Sequence, residues 1–355
     1  MAQGPLASVV LVTGASGFIG AELVTYLKAS GYQVIVATRH PERFARKGMK
    51  SVRLPSPDEA LDAFRPIIEQ VNHVVHLAAI HNPQFAVSAD TYHSVNCVLA
   101  AKLARASYKP LSGKFVFVST IRAQCGNTHE GIALESDAPQ PTDDYGRAKL
   151  AAEHEVAGAL SRGNYTILRP VLVYGAGMKN NMTTLLKLAA LPLPLPLNSL
   201  AGKRSLLDRG ALCRAIIHCL DDAETDGGTF IVSDKTPLSV PEIVAAARRG
   251  LGRNPNLFSC PRWILNVAAQ MAGQRDRLKR LNSDLVASSE KLQMAGWEAV
   301  DNPARRIEEL CGANRDVTEP KPWLYSRHFC SLIALSLARA AASELVQFPH
   351  VVEIF

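Results

Sequence analysis

The stretch Ser8-Val9-Val10-Leu11-Val12-Thr13-Gly14-Ala15-Ser16-Gly17-Phe18-Ile19-Gly20 decides the fold. Its first five residues form an apolar, β-branched run of the kind buried on both faces of a parallel sheet. Three glycines follow at G-x-x-G-x-x-G spacing, and residues 21–27 then read as a helix. Strand, glycine turn and helix in that order make a phosphate cradle. Gly14 permits the sharp turn, Gly17 lets the backbone approach a pyrophosphate, and Gly20 lets helix and strand pack closely. The helix N-terminus adds free N–H groups and the positive end of its dipole. Glycines alone would also suit a plain tight turn, but the strand before and the helix after favour a bound dinucleotide.

Working outward, residues 33–38 read as a second strand after Gly31 closes the helix, which completes a parallel βαβ unit. An acid after that strand would hold the adenosine ribose of NAD. Arg39 stands there instead, with His40 and Arg43 beyond it. An arginine can hold a 2′-phosphate or stack on adenine, so NAD and NADP both stay open. Residues 52–54 read as a short strand, 58–70 as a helix, and 73–79 as a strand ending in Leu77, Ala78 and Ala79. Small residues at a strand's C-terminal end leave room for a cofactor. His76 reads as a packed or cofactor-facing histidine in preference to a base. Residues 90–107 read as a long helix carrying Asn96.

Residues 114–120 form the next strand, with the hydroxyls of Ser119 and Thr120 at its end. A helix over 143–159 carries Tyr145 and Lys149, four apart and therefore on one face. Residues 165–170 are a sixth strand. Leu and Pro alternate over 191–196, which no helix tolerates, so an extended connector is expected. Residues 205–207 look extended, 212–220 and 241–250 helical with Ser239 as a cap, and 228–233 a last strand. From about Asp316 the character changes, and residues 329–346 are mostly apolar and helix-compatible, with no role assigned.

The totals bound the rest. A chain of 355 residues, 47% hydrophobic and 20% charged, is a globular protein of more than one simple core. Its net charge of +7 suits an anionic small molecule. The basic residues are too scattered for a nucleic-acid surface. Seven cysteines without a C-x-x-C pair suggest reduced thiols and a cytoplasmic setting. The N-terminal apolar run is too short for a signal peptide, no run reaches membrane-spanning length, and no metal is called for.

A hydroxyl at a strand end, a Tyr-Lys pair and a dinucleotide turn together suggest redox chemistry at a carbinol carbon. Tyrosine, with a pKa near 10, is a poor base at neutral pH until a nearby cation stabilises its phenolate. The plain alternative is a tyrosine on an amphipathic helix with its lysine in solvent. The sequence resembles the extended short-chain dehydrogenase/reductases over about residues 9–311. The likeness rests on Thr13-Gly14-x-x-Gly17-x-x-Gly20, His76-Leu77-Ala78-Ala79, Asn96, Val118-Ser119-Thr120, Tyr145-Gly146-Arg147-x-Lys149 and Leu168-Arg169-Pro170-x-x-x-Tyr174-Gly175-x-Gly177. Gly296-Trp297 also fits. Within that group the chain is similar to the UDP-glucose 4-epimerase-like branch of the NAD-dependent epimerase/dehydratases.

The resemblance implies roles. Tyr145 would take the proton of a sugar 4-hydroxyl, Lys149 would hold the nicotinamide ribose and tune Tyr145, and Thr120 or Ser119 would hydrogen-bond the reacting oxygen. Gly14, Ser16, Gly17, Phe18, Ile19, Gly20, Arg39, Leu77, Ala78, Ala79, Asn96, Lys149 and Pro170 would line the cofactor. Asn180 or Asn181 would meet the nucleotide sugar, and Arg204 would hold its diphosphate or lie in solvent. Ile121-Arg122 stands where related dehydratases carry Asp-Glu, which argues against dehydration. Asp208-Arg209-Gly210 also departs from the usual residues on the substrate side.

The fold expected is α/β: a Rossmann-type doubly wound parallel sheet with a smaller interleaved C-terminal substrate domain. Residues 7–175, with 205–235 returning, would form the dinucleotide domain. Residues 176–204 and 236–312 would form the substrate domain, and 313–355 a tail. The function expected is nucleotide-sugar 4-epimerisation with bound NAD(P), acting on a UDP-sugar, with a homodimer as the family-level assembly. An NADP-dependent carbonyl reductase or hydroxysteroid-type dehydrogenase is the second reading, and a non-catalytic NAD(P)-binding scaffold the third.

Overall fold

The computed structural model describes residues 8–81, 87–178, 181–271, 273 and 275–313. In chain order its strands are β1 (Val9–Thr13), β2 (Gln33–Thr38), β3 (Ser51–Arg53), β4 (His73–His76), β5 (Phe115–Val118), β6 (Ile132–Ala133), β7 (Tyr165–Pro170), β8 (Leu172–Tyr174), β9 (Lys203–Arg204), β10 (Leu206–Asp208), β11 (Gly228–Val232), β12 (Leu238–Ser239) and β13 (Val286–Ala287). Seven of them form one parallel sheet in the order β11-β7-β5-β4-β1-β2-β3. The chain starts in the middle, winds out to β3, then crosses β1 to β4 and winds the other way. Ligands of open parallel sheets bind at such a reversal, outside the C-terminal strand ends.

Alternation along the strands supplies two cores, one per face. Val10 and Val12 point to the side packed by Leu23, Leu27, Leu212 and Ile216. Leu11 points to the other, with Phe64, Leu103, Phe117 and Val156. Each of these large side chains, once buried, contributes about 1.5–3 kcal/mol. A third centre gathers Tyr174, Leu185, Leu195, Leu206, Ile243, Val244 and Ile307. Its segments lie on both sides of β11 in sequence, while β11 itself joins the main sheet beside β7.

The Leu-Pro connector belongs to that third centre. Prolines 192, 194 and 196 offer no N–H, yet the carbonyls around them still need donors. Arg248, 2% exposed, supplies them. Its guanidinium donates to the carbonyls of Ala189, Leu191 and Leu193 at 3.3, 3.0 and 2.7 Å, and to Pro255 and Asn256 at 2.6 and 3.2 Å.

Two helices differ from expectation. Residues 58–70 do not form one helix, but a 3₁₀ turn (Leu61–Ala63) and a short helix (Arg65–Ile68). Pro66 has no N–H to bond back across the junction, so the helix restarts with Pro66 in its first turn. The helix expected over 90–107 runs from Ala89 to Ser107, but its middle, His93–Val98, is a π turn containing Asn96. The tail beyond residue 313 lies outside the described residues.

Candidate active site

The glycine turn sits at the C-terminal end of β1. Gly14 has φ +73°, and a Cβ there would lie 2.8 Å from the backbone of Leu77 and Ala78, so this turn touches the exit of β4. A Cβ on Gly20 would come within 2.3 Å of the Gly14 carbonyl oxygen. Ser16 and Gly17 are exposed, and Ile19 is half-buried. The helix that follows (Phe18–Ala29) begins with neither a side-chain cap nor an acid in its first turn. Its free amides therefore face solvent at a bare, positively polarised end. A dinucleotide pyrophosphate fits this cradle.

Thr13 ties the turn to β4. Its Oγ1 accepts from the Leu77 and Ala78 amides at 3.2 and 3.1 Å, so its own proton goes to His76 Nδ1, 2.8 Å away. His76 is fully buried and stacked on Phe117. Burial, helped by the Lys149 ammonium, holds its pKa down to about 3. Its remaining proton is on Nε2, which has no partner. His76 is thus a neutral packing residue and not a base. Asn96 uses both ends of its amide on Ile80, accepting from the N–H at 2.8 Å and donating to the C=O at 3.0 Å. It fixes the backbone just past Ala79.

The helix Asp144–Ala159 carries the Tyr-Lys pair and is capped by Asp143, whose Oδ1 accepts from the Gly146 amide at 2.8 Å. Gly146 packs against the short helix Ile121–Gln124, where a Cβ would meet the Arg122 carbonyl oxygen at 2.3 Å. This close approach brings Tyr145 to the end of β5, beside the Thr120 side chain. Burial pushes the phenol up to about 12, against the Arg122 guanidinium and the Thr120 hydrogen bond, which both lower it. Lys149 is 1% exposed; its Nζ donates to the Val118 carbonyl at 2.8 Å and lies 4.0 Å from the Phe117 ring centroid. Burial brings it down to about 7, although the Glu153 carboxylate pulls the other way.

Ser119 and Thr120 part company. The Ser119 hydroxyl donates to Glu153, which is ion-paired to Arg169 at 2.5 Å, with Gln124 accepting from Arg169 on the other side. That network lies buried behind the strand end. With the Ser119 hydroxyl taken by Glu153, Thr120 is the one of the two that acts on Tyr145.

The other candidates scatter more widely. Arg39 is exposed just past β2. Pro170 ends β7, paired with Val232 of β11. Asn180 lies outside the described residues, and Asn181 begins the helix Asn181–Ala189. Arg204 is 6% exposed and donates to the carbonyls of Asn127 and Arg280 at 2.7 and 2.6 Å. Its guanidinium joins the loop at Asn127 to the helix Arg275–Leu281 and is not a solvated surface group.

Three residues near the site are not among the sequence candidates for it. Arg209 pairs with Glu22 at 2.7 Å and lies over the Phe18 ring at 4.6 Å, beside the glycine turn. Its departure from the usual pattern was the signal. The His81 ring lies tilted by 54° against Tyr145 with ring centroids 4.6 Å apart, and Tyr92 meets Tyr145 edge-on at 5.9 Å. Nothing in their spacing marks either one.

Comparison with known proteins gives the same picture. The UDP-glucose 4-epimerase of Vibrio cholerae is 29% identical over 310 residues, covering 84% of this chain and 92% of that protein. The 2'-dehydrokanamycin reductase of Streptomyces kanamyceticus is 26% identical over 325 residues, covering 89% and 84%. The solved UDP-N-acetylglucosamine 4-epimerase from Bacillus cereus superposes with a TM-score of 0.69 at 24% identity, covering 87% of this chain and all of that one, which attests the fold. The NAD dependent epimerase/dehydratase family matches residues 10–232, more than half of the chain. With the doubly wound sheet, the glycine cradle and the Tyr145–Lys149 helix in place, the chain belongs to the NAD dependent epimerase/dehydratase family.

Proposed function

We infer that the protein is a nucleotide-sugar 4-epimerase-like oxidoreductase that exchanges a proton with a sugar 4-hydroxyl through Tyr145. The observation that carries this is the placement of Tyr145 beside Thr120 at the end of β5, one strand away from the β4 exit that touches the glycine turn. Bound NAD(P) would supply the hydride acceptor and donor. Tyr145 exchanges the hydroxyl proton, and Thr120 orients the reacting oxygen. Lys149, one turn along the helix, would hold the cofactor ribose. A UDP-sugar is the favoured substrate class, because the Vibrio cholerae relative is a UDP-glucose 4-epimerase.

A second reading has its own support. A phenol pushed up to about 12 is protonated at neutral pH and ready to donate to a carbonyl oxygen, the proton step of a ketone reductase. The Streptomyces relative bears a reductase name.

The test is a panel of UDP-sugars followed by NMR for inversion at C4, with NAD(P)H absorbance recorded alongside. Inversion without net cofactor consumption supports the epimerase. Persistent NADPH consumption with a ketone and no inversion would transfer the assignment to the reductase. Tyr145→Phe should lower either turnover by about 10²–10⁴ while leaving cofactor affinity unchanged. Full activity in that variant would remove Tyr145 from the chemistry.

A further inference from the structure

Arg122 follows the active-site hydroxyl of Thr120 by two residues, and every part of it near Tyr145 is held. Its Nε and Nη2 reach Asp143 Oδ2 at 3.0 and 2.5 Å, and its Nη1 lies 2.7 Å from His81 Nε2. Its Cζ stands 5.4 Å from the Tyr145 ring centroid. Its amide bonds Thr120 Oγ1 at 3.3 Å. The geometry points to the Arg122 guanidinium, clamped between Asp143 and His81, as a cation that stabilises the Tyr145 phenolate in addition to Lys149, with Asp143 setting how strongly it does so. This rests on the reading of Tyr145 as the proton-transfer group.

Five titratable or charged groups surround Tyr145, from four sides. Arg122 and Asp143 approach from the helix junction, His81 from the segment after β4, Tyr92 from the helix before the π turn, and Lys149 from Tyr145's own helix. Arginine has only donors, so His81 Nε2 must accept, and that ring carries its proton on Nδ1 and is neutral. Tyr92 is a phenol. Lys149 donates from its Nζ to the Val118 carbonyl and lies against the Phe117 ring. Arg122 thus brings a second positive group, its Cζ 5.4 Å from the tyrosine ring centroid. Asp143 also caps the helix that carries Tyr145, so the ion pair and the phenol are fixed to one frame.

Two opposite charges on one phenol make a signed test. Tyr145 would be replaced by 3,5-difluorotyrosine, whose phenol titrates well below that of tyrosine, and its midpoint read by fluorine NMR in the full chain with and without NAD⁺. Arg122→Gln should raise the midpoint by about one pH unit, the low end for a cation this close at a partly exposed site. Arg122→Lys should restore most of that shift. Asp143→Asn keeps the helix cap, since Asn caps as well as Asp, and should lower the midpoint. A purely structural role would reduce stability in both variants without separating the midpoints in opposite directions. Unmoved midpoints in folded variants, or shifts of the same sign, would overturn the assignment. Should Arg122→Gln fail to fold, Asp143→Asn decides alone, and no downward shift overturns it. Because no sugar is needed, split midpoints with no UDP-sugar turnover would sink the proposed substrate and leave this inference standing. Turnover without the split would do the reverse.

Discussion

The glycine turn and the Leu-Pro connector are held by opposite means. At the turn, backbone touches backbone: Gly14 lies against Leu77 and Ala78, and Gly20 against Gly14, because side chains have been removed. At the connector, one long side chain fills the gap, with Arg248 reaching five carbonyls. The first device leaves amides free for a ligand. The second consumes every donor it has. A region made to bind keeps polar groups open, and a region made to stay put closes them.

The sharpest way to break that contrast is Gly20→Ala. Its new Cβ would meet the Gly14 carbonyl, so a stability loss on the order of 3 kcal/mol is expected, with at least a hundredfold loss of NAD(P) affinity. Calorimetric titration and thermal melts check both, and binding within a few-fold of wild type would show that the close packing is dispensable. Arg248→Met comes next. Stranding buried carbonyls should remove about 3 kcal/mol while NAD(P) affinity stays within about twofold. A matching loss of cofactor affinity would mean that the two regions are not independent.

Asp234 sharpens the comparison through pH. It lies buried between the Tyr174 hydroxyl at 2.8 Å and the Asp208 amide at 3.2 Å. Burial raises it from 3.8 to about 7, even though both hydrogen bonds lower it. The folded state then holds a proton between about 4 and 7 that the unfolded chain has released. Stability is therefore highest at the acid end of that window and falls as pH rises through it. Asp234→Asn keeps both contacts and should flatten the fall, a difference on the order of 2 kcal/mol by denaturant titration across the window. An unchanged slope would place the titration elsewhere. The smallest effect is reserved for Arg39→Ala, which should weaken NADPH by about tenfold and spare NADH if Arg39 holds a 2′-phosphate. Equal losses for both cofactors would assign it to adenine stacking.

The same contrast explains how much could be read from sequence. The sheet was legible because apolar runs, glycine spacing and four-residue pairing on a helix are local signals. Thr13, Gly14, Tyr145 and Lys149 could be placed from them. The choice between Ser119 and Thr120 was not legible, because it depends on Glu153, 34 residues away, taking the serine hydroxyl. Arg248 and Arg204 reach across the chain to carbonyls that carry no mark in sequence. His81 meets Tyr145 from the residue after Ile80, whose backbone is pinned by Asn96, 16 residues away. The break at Pro66 was the exception, a local signal overlooked within an otherwise helical pattern.

The position of β11 has a consequence for synthesis. The outer edge of β7 is a row of unpaired backbone groups until β11 arrives, and 57 residues separate Pro170 from Gly228. At about 5–20 residues per second on the ribosome, that edge waits roughly 3–12 s for its neighbour. An unprotected parallel edge is a template for a second nascent chain. Crowded polysomes would thus threaten this protein at a defined moment of translation, and codons over 171–227 that hasten decoding would shorten the exposure.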